Sequence, residues 1–471
     1  MIGQIARKDI LGSLLSLRFV LSLLLLISLS ATSGFVFLDE FRQQSEDFRS
    51  HSNEYLSALR GQTRQLYRLA FHWQRIYRKP KPLTFFAEGF EQYLPNCIDI
   101  NVFLNGLPQA KQQCNFLLPQ FIHIDWVFLT SLILSFVALL LTYDCICGEK
   151  EGGTLRLMLA GSVPRHKILA AKYLSAMFTA GIPLLVGLLV GLIIVVVSRE
   201  VVFGAGDWLK ILALVVLAFV YVSIFVLLGI LISSRTAHSA NSMVMLLLVW
   251  VGLVILIPSL GRVITEITSK GSNPQKCQRR VKETTKQVDA EMNAGKFGPK
   301  AGKLGSLAES NPPARARYIN ALTDAENRVI EDCHNQMLAQ AFAGRNYTCI
   351  SPAAVYRRAS EAIAGTGINH CVSLYEQIKR YQAQLRDYIR DEDREDPNSL
   401  HLLFDEVWPT KSWNAISKRP VSFDAVPKFQ EGDLALGQSL KLAIWDIGLL
   451  VLFNLVFFAA SFVSFLRYDV R

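Results

Sequence analysis

The chain has 471 residues, 51% of them hydrophobic and only 19% charged. Soluble domains are usually about 45–50% apolar with roughly 25% charged residues; here the apolar residues come in blocks, which excludes one large soluble core and points to membrane spans. The net charge of +10 is spread over flanks and loops with no aromatic-interleaved basic stripe, which argues against nucleic-acid binding.

Met1–Arg18 reads MIGQIARKDILGSLLSLR. Ile2, Ile5, Ile10, Leu14, Leu15 and Leu17 fall mostly on one helical face, with Arg7, Lys8 and Asp9 off it. This predicts an amphipathic helix lying on a membrane surface. A span needs about 20 apolar residues to cross roughly 30 Å of hydrocarbon. Six stretches free of Asp, Glu, Lys and Arg qualify: 19–38, 126–143, 173–198, 211–234, 239–261 and 447–466. Pro183 lies inside the third and is a candidate kink. The start of the chain also has the order of a signal peptide, but the apolar run continues through Phe35, Val36 and Phe37, which reads as an uncleaved span.

Lys and Arg gather in the flanks around 1–18, 144–172 and 467–471, whereas the short link between the third and fourth spans holds only Arg199 and Lys210. The positive-inside rule then makes both termini and the loop 144–172 cytoplasmic, and puts the long segments 39–125 and 262–446 outside. Segment 39–125 opens with a polar helical stretch that runs through HWQRIYR. The prolines of KPKPL end it, and CIDINVFLNGLPQAKQQCNFLLPQF follows with short β-like runs around a turn. An α+β domain is expected there. Segment 262–446 opens polar and basic and then passes through a loose Gly- and Lys-rich patch. Two long helical stretches follow, 318–344 and 355–394, the second interrupted at Gly-Thr-Gly. A tail with Pro spacing typical of extended segments closes it. This domain is expected to be mainly α. Asn346-Tyr347-Thr348 matches a glycosylation acceptor, a short pattern of little weight.

Six of the eight cysteines fall in these outer segments: Cys97 and Cys114 in the first, Cys277, Cys333, Cys349 and Cys371 in the second. Even numbers suggest disulfides in an oxidising compartment. Cys97 with Cys114 is the simplest pair, and the second segment allows three pairings. Cys145 and Cys147, at the inner end of the second span, read as structural thiols. The chain shows no phosphate loop, no zinc helix and no nucleophile elbow. Asp446 and Lys441 at the outer mouth of the sixth span either line a pathway or anchor the helix.

One stretch remains, YDCICGEKEGGTLRLMLAGSVPR over 143–165, the densest charge between two spans. Glu149 and Glu151 precede a flexible Gly152-Gly153. Thr154 is placed to cap a helix beginning at Leu155, its hydroxyl accepting from a free backbone N–H. Pro164 ends that helix, and the next runs from Arg165 into the third span. Leu155, Leu157, Met158 and Leu159 give it an apolar face. That face suits either docking on another protein or resting on the lipid interface.

The stretch resembles the cytoplasmic loop of ABC-2-type transporter permeases: acids at Glu149 and Glu151, then Gly153-Thr154-Leu155, Pro164-Arg165 and Lys172. ARKDILGSLLSLRF looks like that family's interfacial elbow helix. KPLTFFAEGFEQYLP and RNYTCISPAAVYRRASEAIAGTGINH are similar to a branch with large extracytoplasmic insertions, related to gliding-motility and copper-maturation permeases. The resemblance implies an α-helical integral membrane protein with an elbow helix, six transmembrane helices and two extracytoplasmic domains. It implies a non-catalytic subunit of the bacterial inner membrane that binds no cofactor itself. A separate ATPase subunit would bind ATP and Mg and dock on a coupling helix formed by Glu149, Glu151, Gly153, Thr154, Leu155, Leu157, Met158, Pro164 and Arg165. A second permease chain would complete the transporter. Export of a substrate, or force transmitted to a periplasmic partner without transport, would be the work done. An enzyme active site in the outer domain is a weaker alternative that no motif supports.

Overall fold

The computed structural model of the chain describes residues 2–94, 96–102, 124–155, 158, 164–268, 274–298, 312–401 and 416–467. Among them are six helices long and apolar enough to cross a membrane. Helix α1 (Ile2–Leu14) is followed by α2 (Leu17–Gln62). Ser16 starts α2, its side chain accepting from the N–H of Phe19 at 3.3 Å. At about 1.5 Å per residue α2 is roughly 70 Å long, more than twice a hydrocarbon core. The expected first span and the polar helix after it are therefore one continuous rod. The short α3 (Leu66–Phe71) follows.

The remaining spans are α4 (Trp126–Glu151), α5 (Arg165–Val197), α6 (Ala205–Arg235), α7 (Ser239–Gly261, helical on to Thr268) and α12 (Leu436–Leu466). Asp125 starts α4, its carboxylate accepting from the N–H groups of Phe128 (2.6 Å) and Glu88 (2.9 Å). Helices α4 and α7 each widen into a π turn, at Leu129–Leu134 and Val251–Leu256. Each turn offers a carbonyl to a neighbour. Ser131 accepts from the Tyr221 hydroxyl at 2.7 Å, and Leu253 accepts from the Ser351 hydroxyl.

Helices α4 and α6 meet at Gly229. A Cβ there would lie 2.0 Å from Thr142 Oγ1 and 2.7 Å from Thr142 Cβ. Thr142 is fully buried and donates to the Ala138 carbonyl, so it cannot swing away without losing that bond. Gly229→Ala is expected to cost about 1–3 kcal/mol through overpacking. Thr142→Ala in the same chain should recover part of the loss, and thermal unfolding in detergent reads both.

The two insertions share their cores. Strands β1 (Gln74–Tyr77) and β2 (Cys97–Ile100) pair antiparallel, with Arg75 opposite Asp99 and Ile76 opposite Ile98. The stretch HWQRIYR was expected to be helical; its end is instead the partner strand of the β-like run. Ile76, Ile98 and Ile100 pack on Cys371, Leu374, Ile378 and Tyr381 of α11 (Ile368–Arg394). Leu59, Leu66 and Leu69 pack on Leu385 and Ile389 of the same helix. A buried ionic cluster adds to this: His370 lies 2.7 Å from Glu91 and 3.0 Å from Glu431.

The basic opening of the second insertion, read as polar without a structure, forms helix α8 (Pro274–Asn293). It pairs with α9 (Pro312–Tyr347) through a Cys277–Cys333 disulfide. Of the three possible pairings in this segment the structure shows this bridge, with Cys349 and Cys371 unpaired. Cys349 donates instead to the Arg345 carbonyl at 3.2 Å, and Cys371 is buried beside β2. Cys97 is unpaired in the structure, and its expected partner Cys114 lies outside the described residues, as does most of the Gly- and Lys-rich patch.

Helix α10 (Pro352–Ala364) enters the bundle. Thr348 sits against Gly261, and Ser351 bonds Leu253, roughly 12 Å further down α7. From there α10 climbs back. Tyr356 stacks on Tyr221 of α6 with ring centroids 4.4 Å apart, and Gly365 lies beside Lys210. Val355, Tyr356, Ala359 and Ile363 are buried in the same apolar cluster as the spans. The segment 262–446, expected wholly outside, therefore packs one of its helices into the apolar cluster that the long apolar helices share. Asp446 lies here too. It is buried rather than anchoring at an interface, and it pairs with Arg345 (3.2 Å) and Arg358 (3.1 Å). Lys441 is exposed.

Candidate coupling site

Among the described residues, three charges of 144–172 meet the ends of other helices. Helix ends leave backbone N–H or C=O groups without partners, and charged side chains of the matching sign satisfy them. Lys150 donates to the carbonyls of Ser234 and Thr236 (2.9 Å) at the end of α6. Glu151 accepts from the N–H (2.9 Å) and hydroxyl (2.6 Å) of Ser239 at the start of α7. Arg165 donates to the Leu466 carbonyl at 2.7 Å, at the end of α12. Arg18, at the base of α2, pairs with Asp144 at 2.7 Å and lies 4.8 Å over the Tyr143 ring.

Lys172 is the hub. It sits near the start of α5 with a side chain only 5% exposed, and its ammonium lies 3.0 Å from Asp9 of α1 and 2.5 Å from Glu149 of α4. A buried cation between two carboxylates fixes three helices to one point. Ser233 adds a second tie, its hydroxyl accepting from the N–H groups of Ile146 (2.9 Å) and Cys147 (3.0 Å).

The nine expected coupling residues divide by where they point. Glu149, Glu151 and Arg165 are engaged by the partners just named, Glu151 at an exposed position. Leu155 is 1% exposed within the main apolar cluster, and Met158 packs against it, so neither presents a free docking face. Leu157 and Leu159 lie outside the described residues. Residues 154, 155 and 158 are helical, and the Thr154 hydroxyl donates to the Glu149 carbonyl at 3.4 Å; the N–H groups it was expected to cap lie outside the described residues. Gly153 has φ +68°, a left-handed conformation suited to glycine. Gly152, Gly153, Thr154 and Pro164 are exposed, as are His166 and Lys167. Among the described residues the exposed surface of this loop is Glu151, Gly152, Gly153 and Thr154 together with Pro164, His166 and Lys167.

Sequence reasoning missed Asp9, Lys150 and Ser239 and gave Lys172 no contact. The signal for Lys172 was present: a lysine followed by an uninterrupted apolar run needs an anion, and Asp9 lies on the amphipathic helix that precedes the first span.

The profile of the "ABC-2 family transporter protein" family matches residues 4–470, nearly the whole chain. The chain belongs to the ABC-2 family. A stretch of 103 residues is 35% identical to the "Probable ABC transporter permease protein NosY" of Stutzerimonas stutzeri, covering 20% of this chain and 37% of that protein. The match thus spans little more than a third of the relative. With six apolar helices, this ABC-2 member is a multi-pass membrane protein of the permease kind.

Proposed function

We propose that the chain is the membrane permease subunit of a bacterial ABC transporter, set in the inner membrane with both termini and the loop 144–172 in the cytoplasm. A separate ATPase subunit, holding ATP and Mg, docks on the exposed Gly152–Thr154 turn. A second permease chain, identical or a sister, completes the transporter. The observation that carries this reading is the Lys172 junction beneath the turn. Force applied to the turn meets Glu149, and through Lys172 reaches α1 and α5 together. A nucleotide-driven partner shifts such a bundle only by binding its two arrangements differently.

The test is affinity isolation of tagged protein from mild detergent, wild type beside Gly153→Val with Thr154→Arg, which alter the exposed turn and leave Leu155 in place. Wild type is expected to bring down an ATPase whose hydrolysis is measurable, with recovery reduced at least tenfold in the variant. Equal recovery from both, or no ATPase from either, overturns the docking site.

A second reading has an observation in its favour. Helix α2 is continuous from the Ser16 cap to Leu59 in the core of the insertions, which suits a rod moving an extracytoplasmic partner without transport. ATPase activity stimulated by such a protein alone would favour it. Stimulation by a small molecule in liposomes would favour export from the cytoplasm or the membrane.

A further inference from the structure

Beside α10 lies a cavity of about 340 Å³, within the ~300–1,000 Å³ range of small-molecule sites. Its lining includes the apolar side chains of Phe128, Leu132, Val254 and Phe342. Leu132 and Val254 come from the two π turns, so the irregular segments of α4 and α7 face the same space. Such turns recur at functional sites, because they redirect side chains at some cost in helix regularity.

The lining is also charged. Arg345, Arg357, Arg358, Glu361 and Asp446 all belong to it, three guanidinium groups against two carboxylates. Asp446 takes both Arg345 and Arg358. Arg357 is exposed, and among the described residues it has no carboxylate within ion-pairing distance. A guanidinium fork beside apolar side chains matches a phosphate or carboxylate attached to a hydrocarbon chain.

We propose that this cavity binds a single-chain amphiphile with an acidic head, the head on Arg357 and the chain along Phe342 and the π turns. The site lies within one chain, on the insertion side of the bundle, and does not depend on how the loop 144–172 couples to a partner.

The test uses the full-length protein in dodecyl maltoside, with ligand retention read by native mass spectrometry. The probe is octyl phosphate; octyl glucoside and inorganic phosphate at the same concentration are the comparisons. Wild type is expected to retain one octyl phosphate per chain and neither comparison compound. Arg357→Ala, at an exposed position, and Phe342→Trp, which fills the apolar side, should each reduce retention at least tenfold. Arg380→Ala, on the exposed face of α11, should leave it unchanged. Equal retention by wild type and both cavity variants overturns the site. Equal retention of octyl glucoside overturns the acidic head, and displacement by inorganic phosphate alone overturns the role of the chain.

Discussion

Lys172→Met is expected to destabilise the bundle by about 3–5 kcal/mol and to release α1 from it, the usual outcome when one partner of a buried ion pair is removed. The side chain is 5% exposed, and Asp9 and Glu149 are 20% and 19% exposed. Without the ammonium, two carboxylates are left facing each other with little water. Methionine keeps most of the volume, so the loss reports charge rather than a cavity. Adding Asp9→Asn and Glu149→Gln removes the stranded anions, and this triple variant should recover most of the stability. It should not recover coupling, because neutral groups hold the three helices less firmly. Thermal unfolding in detergent reads the first effect, and ATPase activity of the isolated complex reads the second. A triple variant as unstable as Lys172→Met would show that stranded carboxylates are not the source of the loss.

The parts of this fold legible in the sequence are those where one segment decides its own state. Apolar runs free of charge predict the six long helices, because lipid leaves the backbone no other partner than itself. Periodicity predicts α1. What escaped reading depends on a distant partner. Gln74–Tyr77 continues a helical composition, and only pairing with Cys97–Ile100 across the prolines makes it a strand. Pro274–Asn293 is too polar to predict a stable helix, and its pairing with α9 through Cys277–Cys333 holds it. Pro352–Ala364 has two arginines and a glutamate, which place it outside a membrane by composition. Its small residues and Tyr356 nevertheless fit the space beside Tyr221. At the candidate site the residues were legible and their directions were not. Glu149, Glu151 and Arg165 serve as ties because helix ends and Lys172 wait for them, and Leu155 belongs to the core.

The joint between the two insertions is expected to be tightest between about pH 4.5 and pH 6.5 and to loosen on both sides. Arg78, Lys81 and Glu91 from the first insertion meet His370 and Glu431 from the second. Burial opposes charge on His370, but bonds to Glu431 and Glu91 outweigh burial and the nearby Lys81, so its pKa is raised. Burial would also raise Glu91, yet His370, Arg78 and Lys81 hold it down at about 2, and Glu431 is lowered by the same neighbours. The signs follow from linkage. The raised histidine contributes stability that is complete below the unfolded value near 6.5 and is lost as pH rises through its folded value. The depressed glutamates contribute stability that is complete above their unfolded value near 4.5 and is lost as pH falls through their folded values. Hydrogen exchange at the Phe90 amide, which donates across the joint to the Thr366 carbonyl at 2.9 Å, gives a local reading once intrinsic rates are divided out. Protection should fall on the alkaline side in wild type. His370→Gln should abolish that alkaline loss, keep the acid loss, and lower protection by about 3 kcal/mol between about pH 4.5 and pH 6.5, where two buried carboxylates lose a cation between them, with the gap to wild type closing as pH rises. An alkaline loss unchanged in His370→Gln would assign it to another group and break the link between this histidine and the joint.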